Sequence, residues 1–171
     1  EHKVSLISGV HDLLPNRVGG AALQKNLEIL GDIQYTQEEI DFALELQRNN
    51  GKPEIGIDGK IRPLRETLNS PGGGSTDSGD VSYNVPVVSL AATTAPKGVP
   101  WHSWSVVASS GMSIGHKGML HAAKALGMTM VDIFKDSKLR EDIRKEFDEK
   151  IGEYEYDPYL DPGPPPIDYV D

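Results

Sequence analysis

Apolar side chains recur every three or four positions in several parts of the chain, which is typical of helices with one buried face. The clearest start is "YTQEEI", where Thr36 and the Glu39 that follows it form a capping-box pattern. A long helix is predicted from Ser113 onwards, with one apolar face that we expect to be buried. That face consists of Met119, Ala123, Leu126, Met130 and Ile133, with His116 one turn earlier. The remaining helices are predicted from Gly20 to Leu30 and from an Asp136 N-cap to Gly152.

Two other apolar segments have the character of strands. Val4, Leu6 and Ile7 predict a short strand, and "VPVVSLAATT", residues 85–94, predicts a buried one. The order of strand, two helices, glycine-rich loop, strand, histidine segment and two helices predicts an α/β fold. Two or three strands are too few for a complete doubly wound sheet, so the pattern indicates part of a larger unit. The proline-rich tail, residues 153–171, is predicted to lie extended on the surface.

Composition excludes several classes of function. The 171 residues carry a net charge of −9, with 26 acidic against 17 basic side chains, which argues against nucleic acid or an anionic membrane as the main partner. No apolar run approaches the length of a membrane helix. The absence of cysteine rules out disulfides and zinc–thiolate sites, and it is consistent with a cytoplasmic protein.

His102 is the first candidate for chemistry, because "KGVPWHSWSVV" places it between Trp101 and Trp104. One interpretation is an aromatic cluster, with His102 either packed or exposed between the two indoles. The other is a metal ligand or general base, since neutral imidazole binds zinc and similar ions. A position just after a strand favours the second interpretation, because ligands of α/β proteins gather at the carboxyl ends of strands.

Two further segments can likewise be interpreted as structural or as functional. Asp77 and Asp80, in "GSTDSGD", are either turn residues or carboxylates for a ligand. His116 is either a satisfied polar group in the core or a side chain that points into a site at the start of a helix. His2, His11 and His121 are weaker candidates. The sequence contains no HExxH motif, serine elbow or dinucleotide fingerprint.

Five blocks in consecutive order resemble one family, the two-metal amidohydrolases and peptidases that include aminoacylases, carboxypeptidase G and the p-aminobenzoyl-glutamate hydrolases. Within that family the chain is most similar to the B-type subunits of the aminobenzoyl-glutamate hydrolases. The blocks are "HDLLPNR", "TQEEIDFALELQ", "GGGSTDSGDVSYNVP", "PWHSWSVV" and "IGHKGMLHAAKAL". The resemblance implies the C-terminal part of a three-layer α/β/α, zinc-peptidase-like catalytic domain. Residues 1–17 would end a lid or dimerisation domain with its last strand, residues 18–152 would belong to the catalytic domain, and residues 153–171 would form the tail.

The resemblance also implies roles for single residues. His102 would be a metal ligand, and Asn16, Asp77 and His116 would contact substrate, with the glycine loop from residue 72 to Asp77 lining the pocket. The cofactor would be a divalent metal, two ions of zinc or manganese. The general base and the other ligands lie upstream in the family, so we expect no complete catalytic site in this chain.

The expected function is therefore hydrolysis of an acyl– or aroyl–amino acid amide, such as an aminobenzoyl-glutamate, by an enzyme of which this chain is the C-terminal segment. The expected partners are the small amide substrate, the upstream part of the enzyme and a second copy through the lid. The alternative is a non-catalytic assembly module that keeps half of the hydrolase fold. The sequence leaves the exact substrate, the metal and the oligomeric state open.

Overall fold

The structure is a computed structural model that describes residues 2, 4, 6, 8–65, 76–160 and 163. Six helices lie in those ranges. They are α1 (Arg17–Leu30), α2 (Gln37–Asn49), α3 (Ser78–Ser82), α4 (Trp104–Ser110), α5 (Ser113–Lys135) and α6 (Ser137–Ile151). None of them is long and apolar enough to cross a membrane, within the residues described.

The helix starts follow from local capping chemistry. Thr36 accepts the backbone N–H of Glu39 at 3.3 Å, and the Glu39 carboxylate accepts the N–H of Thr36 at 2.7 Å, which confirms the capping box of α2. Asp136 accepts the N–H of Leu139 at 3.0 Å and caps α6, as predicted. These bonds satisfy donors that a helix otherwise leaves without partners in its first turn.

The predicted α/β fold is wrong, because the described residues form an all-α structure without a strand. Residues 85–94 run extended, but a single isolated parallel bridge between Pro15 and Val87 is their only β pairing within the described ranges. At the first predicted strand, Val4 is 95% and Leu6 61% exposed, and Ile7 lies outside the described residues. A strand needs a neighbour along its whole length to satisfy its backbone groups, and the described chain supplies one at a single position. The three-layer α/β/α expectation is wrong for the same reason.

The core is formed where α5 packs against α1, α4 and α6. Leu23 of α1, Ala125 of α5 and Phe147 of α6 are buried. A buried polar contact crosses the α1–α5 interface, where the Asn26 amide donates to the Thr129 hydroxyl oxygen at 3.1 Å. The same amide nitrogen donates to Oδ2 of Asp132, also on α5, at 2.7 Å, so both of its N–H groups are paired and the buried side chain ties the two helices together.

The expected buried face of α5 is also wrong. Met119 is 58%, Leu126 40% and Met130 58% exposed, whereas the buried positions of α5 include Gly118 and Ala125 on the opposite side. Small residues are buried because they allow close approach: a Cβ added at Gly118 would lie 2.2 Å from the Thr93 carbonyl oxygen. Sequence periodicity located an apolar face, but α5 has a second face of small residues, and that face packs on the core.

Candidate functional site

His102 lies in the turn that leads into α4, and its side chain is exposed. The neighbouring indoles are exposed too, Trp101 by 69% and Trp104 by 58%. Ring pairs in the described part of the chain gather around His11 instead. His102 is therefore not buried between the two indoles, and the aromatic ring pairs found among the described residues do not include it.

The backbone of His102 is held in an unusual conformation. Its φ is 59°, and among the described residues it is the single non-glycine position with a positive φ. A left-handed conformation costs such a residue roughly 1–2 kcal/mol. The turn is fixed on its far side by Ser103, whose hydroxyl donates to the carbonyl oxygen of Pro100, and Val99 anchors it in the core. Backbone strain of this kind is found preferentially at functional sites.

The described residues do not contain a group of three or more histidine, aspartate, glutamate or cysteine side chains that could hold a metal ion. His102 fits the chemistry of one ligand, since it is exposed and imidazole is a common zinc ligand. One imidazole cannot hold an ion by itself. Any metal at this position therefore needs ligands from outside the described residues.

The three residues expected to contact substrate are placed differently from one another. Asp77 is exposed at the N-cap of α3 and makes no capping bond, while residues 72–75 of its loop lie outside the described residues. His116 is exposed in the first turn of α5, so its interpretation as a buried polar group is wrong. Along the chain, His102 precedes α4 and His116 follows it, and α4 itself is about 10 Å long.

Asn16 is buried, with 7% of its surface exposed, and serves as the N-cap of α1. Its amide oxygen accepts the N–H of Gly19 at 2.8 Å, and its amide nitrogen donates to the carbonyl oxygen of Ile143 at 2.9 Å. One amide N–H is left over. Asn16 also lines a groove of about 730 Å³ between α1 and the segments at residues 58–65 and 87–99. Its substrate contact stays a prediction, and it would use the remaining N–H.

A second cluster is centred on His11, which the sequence indicated only as a weak candidate. His11 is 6% exposed; its Nδ1 lies 2.9 Å from Oδ1 of Asp80 and its Nε2 lies 2.8 Å from the Tyr154 hydroxyl. The ring of Tyr159 stacks on the imidazole at 4.2 Å. The described part of the tail thus lies on the surface, where Tyr154 and Tyr159 hold it against His11. The spacing of tyrosines in "EYEYDPY" is the signal that could have revealed this contact.

Hydrogen bonds within the His11 cluster shift the pKa values of two of its members. The hydrogen bond from His11 holds the pKa of Asp80 below its usual range, and the Tyr156 hydroxyl, at 3.1 Å, adds to that effect. Burial raises the pKa of Tyr156, and its bond to Asp80 raises it further. Both ring nitrogens of His11 are engaged, so the ring has no free position for proton transfer to a substrate.

Comparison with known proteins finds the B-type subunit of p-aminobenzoyl-glutamate hydrolase from Escherichia coli (strain K12), which is 34% identical over 157 residues. The similarity covers 78% of this chain and 33% of that protein, so the chain spans about a third of the length of the curated relative. It confirms the resemblance to the B-type hydrolase subunits that the five sequence blocks indicated. No family model matches the chain, and no solved structure matches it.

Proposed function

Because this chain is homologous to a segment of the B-type subunit of p-aminobenzoyl-glutamate hydrolase, we propose that it forms part of a metal-dependent amidohydrolase. The substrate class is an amide that joins an aroyl or acyl group to an amino acid, with an aminobenzoyl-glutamate as the model compound. The observation that carries the proposal is the identity of 34% across most of the chain. The exposed side chain of His102 and its positive φ are structural observations that support the proposal.

His102 supplies one ligand to a divalent metal pair, of zinc or manganese, and is presented to it by the turn before α4. When bound, the metal polarises the amide carbonyl and lowers the pKa of water. The general base and the remaining ligands come from outside this segment. Asp77 and His116 are exposed and therefore available to the substrate, whereas Asn16 offers one amide N–H beside the groove.

The second candidate is a non-catalytic assembly module. The similarity covers only 33% of the hydrolase subunit, which is compatible with such a module. The two candidates differ in what they require of His102. An enzyme segment needs the imidazole for metal occupancy, whereas an assembly module does not.

The test needs a complete subunit, obtained as a chimera in which this chain replaces the matched third of the E. coli relative. We expect the chimera to bind a divalent metal and to release p-aminobenzoate from p-aminobenzoyl-glutamate. His102→Ala should lower both metal content and turnover, at least about 100-fold in rate, while thermal unfolding stays cooperative. His2→Ala, which changes an exposed histidine near the N-terminus, is the matched control. Full activity of His102→Ala, or an inactive metal-free chimera, would favour the assembly module.

A further inference from the structure

Residues 11–16 form a short connection, which we call the 11–16 segment, and it is in contact with two of the residues expected to bind substrate. Asn16 lies at its end and caps α1. The short helix α3, which has Asp77 at its N-cap, packs on the start of the segment. The approach is close, because a Cβ added at Gly79 of α3 would lie 1.9 Å from the His11 carbonyl oxygen. The position of Asp77 relative to Asn16 therefore depends on how α3 is held against this segment.

Two side chains of α3 bond to the 11–16 segment. Oδ1 of Asp80 accepts from the backbone N–H of His11 at 3.4 Å and lies 2.9 Å from Nδ1 of the same residue. The hydroxyl oxygen of Ser82, which is fully buried, accepts the backbone N–H of Leu14 at 2.8 Å. A helix of five residues is not stable by itself in water, so α3 owes its place to these contacts.

The described part of the tail holds the His11 ring from the other side. The Tyr154 hydroxyl lies 2.8 Å from Nε2, and the ring of Tyr159 stacks on the imidazole at 4.2 Å with 5° between the planes. The Tyr156 hydroxyl donates to Oδ1 of Asp80 at 3.1 Å. Because a carboxylate only accepts hydrogen bonds, Nδ1 donates to Asp80, and Nε2 of the neutral ring accepts from Tyr154. The tail thus fixes the orientation of a side chain that in turn holds α3.

We propose that His11 is a positioning residue of the hydrolase site, through which the tail fixes α3 and Asp77 relative to Asn16. The contact of Asp77 with substrate rests on the proposed function, whereas the link from the tail to α3 rests on the hydrogen bonds and ring stacking alone. His11 itself does not touch substrate in this role, because it is 6% exposed and both ring nitrogens are engaged. It acts through Asp77, whose exposed side chain makes no capping bond and is available for a polar contact.

Two substitutions separate the two bonds of the His11 ring. In His11→Asn the side-chain amide takes the place of Nδ1 and donates to Asp80, whereas in His11→Gln it reaches the place of Nε2 and bonds Tyr154. Both variants lose the ring on which Tyr159 stacks, so both lose similar packing. A cluster that serves stability alone predicts similar effects of the two variants. Positioning of α3 through Asp80 predicts that only His11→Asn preserves the site.

The first measurement is amide hydrogen exchange of the isolated chain by NMR, read at Leu14, whose N–H is bonded to Ser82 of α3. Rates are taken relative to core amides of α5, which corrects for any change in overall stability. We expect His11→Gln and Tyr154→Phe to speed exchange at Leu14 about tenfold, since exchange follows local opening. His11→Asn should stay within about threefold of the parent chain, and so should the matched control Tyr159→Phe, which keeps the stacked ring. Equal rates in all four variants overturn the link between the tail and α3.

The second measurement is hydrolysis of p-aminobenzoyl-glutamate by the chimera. His11→Gln should raise KM about tenfold while kcat per bound metal stays within about threefold, because a substrate contact is displaced and the metal ligand is not. Asp77→Ala should have the same effect. The double variant should be no worse than Asp77→Ala alone, since His11 acts through that residue. Additive effects, or a lower kcat at unchanged KM, overturn the positioning role.

The two measurements distinguish this inference from the proposed function. An inactive chimera contradicts the proposed function, while the exchange rates at Leu14 still decide whether the tail holds α3. An active chimera in which His11→Gln leaves KM unchanged contradicts the positioning role alone.

Discussion

His102 combines two properties that a packing residue does not need. Its side chain is exposed, and its backbone has a φ of 59°, a conformation that glycine adopts without cost. A residue selected for stability alone at this position would be glycine. Histidine is therefore expected to lower the stability of the folded chain relative to glycine. A functional role of the imidazole would explain why histidine is nevertheless present.

His102→Gly should consequently raise the stability of the isolated chain. Release of the left-handed strain outweighs the larger unfolded-state entropy of glycine, and we expect a net gain of about 0.5 kcal/mol. Urea unfolding followed by circular dichroism measures it. The matched control is Ser103→Gly, where φ is −123° and the hydroxyl is bonded to Pro100, so this variant should lose stability. A loss of stability in His102→Gly would show that the ring is packed and would remove the geometric support for the metal role.

At the scale of elements, a partly buried ion pair joins the start of α2 to the start of α5. Nζ of Lys117 lies 2.6 Å from Oε2 of Glu39, which is 6% exposed. Burial by itself raises the pKa of Glu39, but hydrogen bonds from Lys117, Ser113 and the Thr36 N–H outweigh it and lower the pKa to about 2. Burial and the nearby carboxylates of Glu39 and Asp58 raise the pKa of Tyr35, which Lys117 also covers, to about 12.

This pair makes stability depend on pH in a defined direction. The folded-state pKa of Glu39 lies below its ordinary 4.5, so the pair's contribution is complete above pH 4.5 and is lost as the pH falls towards 2. Lys117→Met should destabilise the chain at pH 7 by about 1–3 kcal/mol, because a buried carboxylate loses its partner. It should also flatten the pH dependence between about 4.5 and 2.

Urea unfolding at a series of pH values measures both effects. Lys124→Met changes an exposed lysine of the same helix and should stay within about 0.5 kcal/mol of the parent chain. An unchanged acid profile in Lys117→Met would mean that the ion pair does not link α2 to α5 in solution.

Local signals in the sequence were sufficient for the starts of α2 and α6, because a capping box or an Asp N-cap forms within one turn of chain, whereas the short helices α3 and α4 were not predicted. The capping bonds of Thr36 and Asp136 are examples. Strands and buried faces depend on distant partners, and there the sequence was misleading. Residues 85–94 have strand composition but one bridged position, and α5 has two apolar sides between which periodicity cannot choose. The same holds for the candidate site. The sequence around His102 is compatible with its exposure. The burial of His11 by Asp80 and the tail tyrosines could not be predicted, because these residues are distant in the sequence.

For the whole molecule, two helix glycines allow the segment after residue 85 to pack closely against α1 and α5. At Gly19 of α1, an added Cβ would lie 2.4 Å from Cγ2 of the Val88 side chain. At Gly118 of α5, the same addition would lie 2.2 Å from the backbone carbonyl oxygen of Thr93. These close contacts place the segment against two helices with little β pairing.

Two glycines of α5 therefore predict opposite outcomes for one substitution. Gly118→Ala should destabilise the chain by about 1–3 kcal/mol, because backbone atoms of Thr93 must move to accept the methyl group. Gly127→Ala, on the same helix with no atom within 4 Å of the added Cβ, should stabilise it by up to about 1 kcal/mol through helix propensity. Thermal and urea unfolding of both variants measure the difference. If Gly118→Ala also gained stability, residues 93–94 would not lie against α5 in solution.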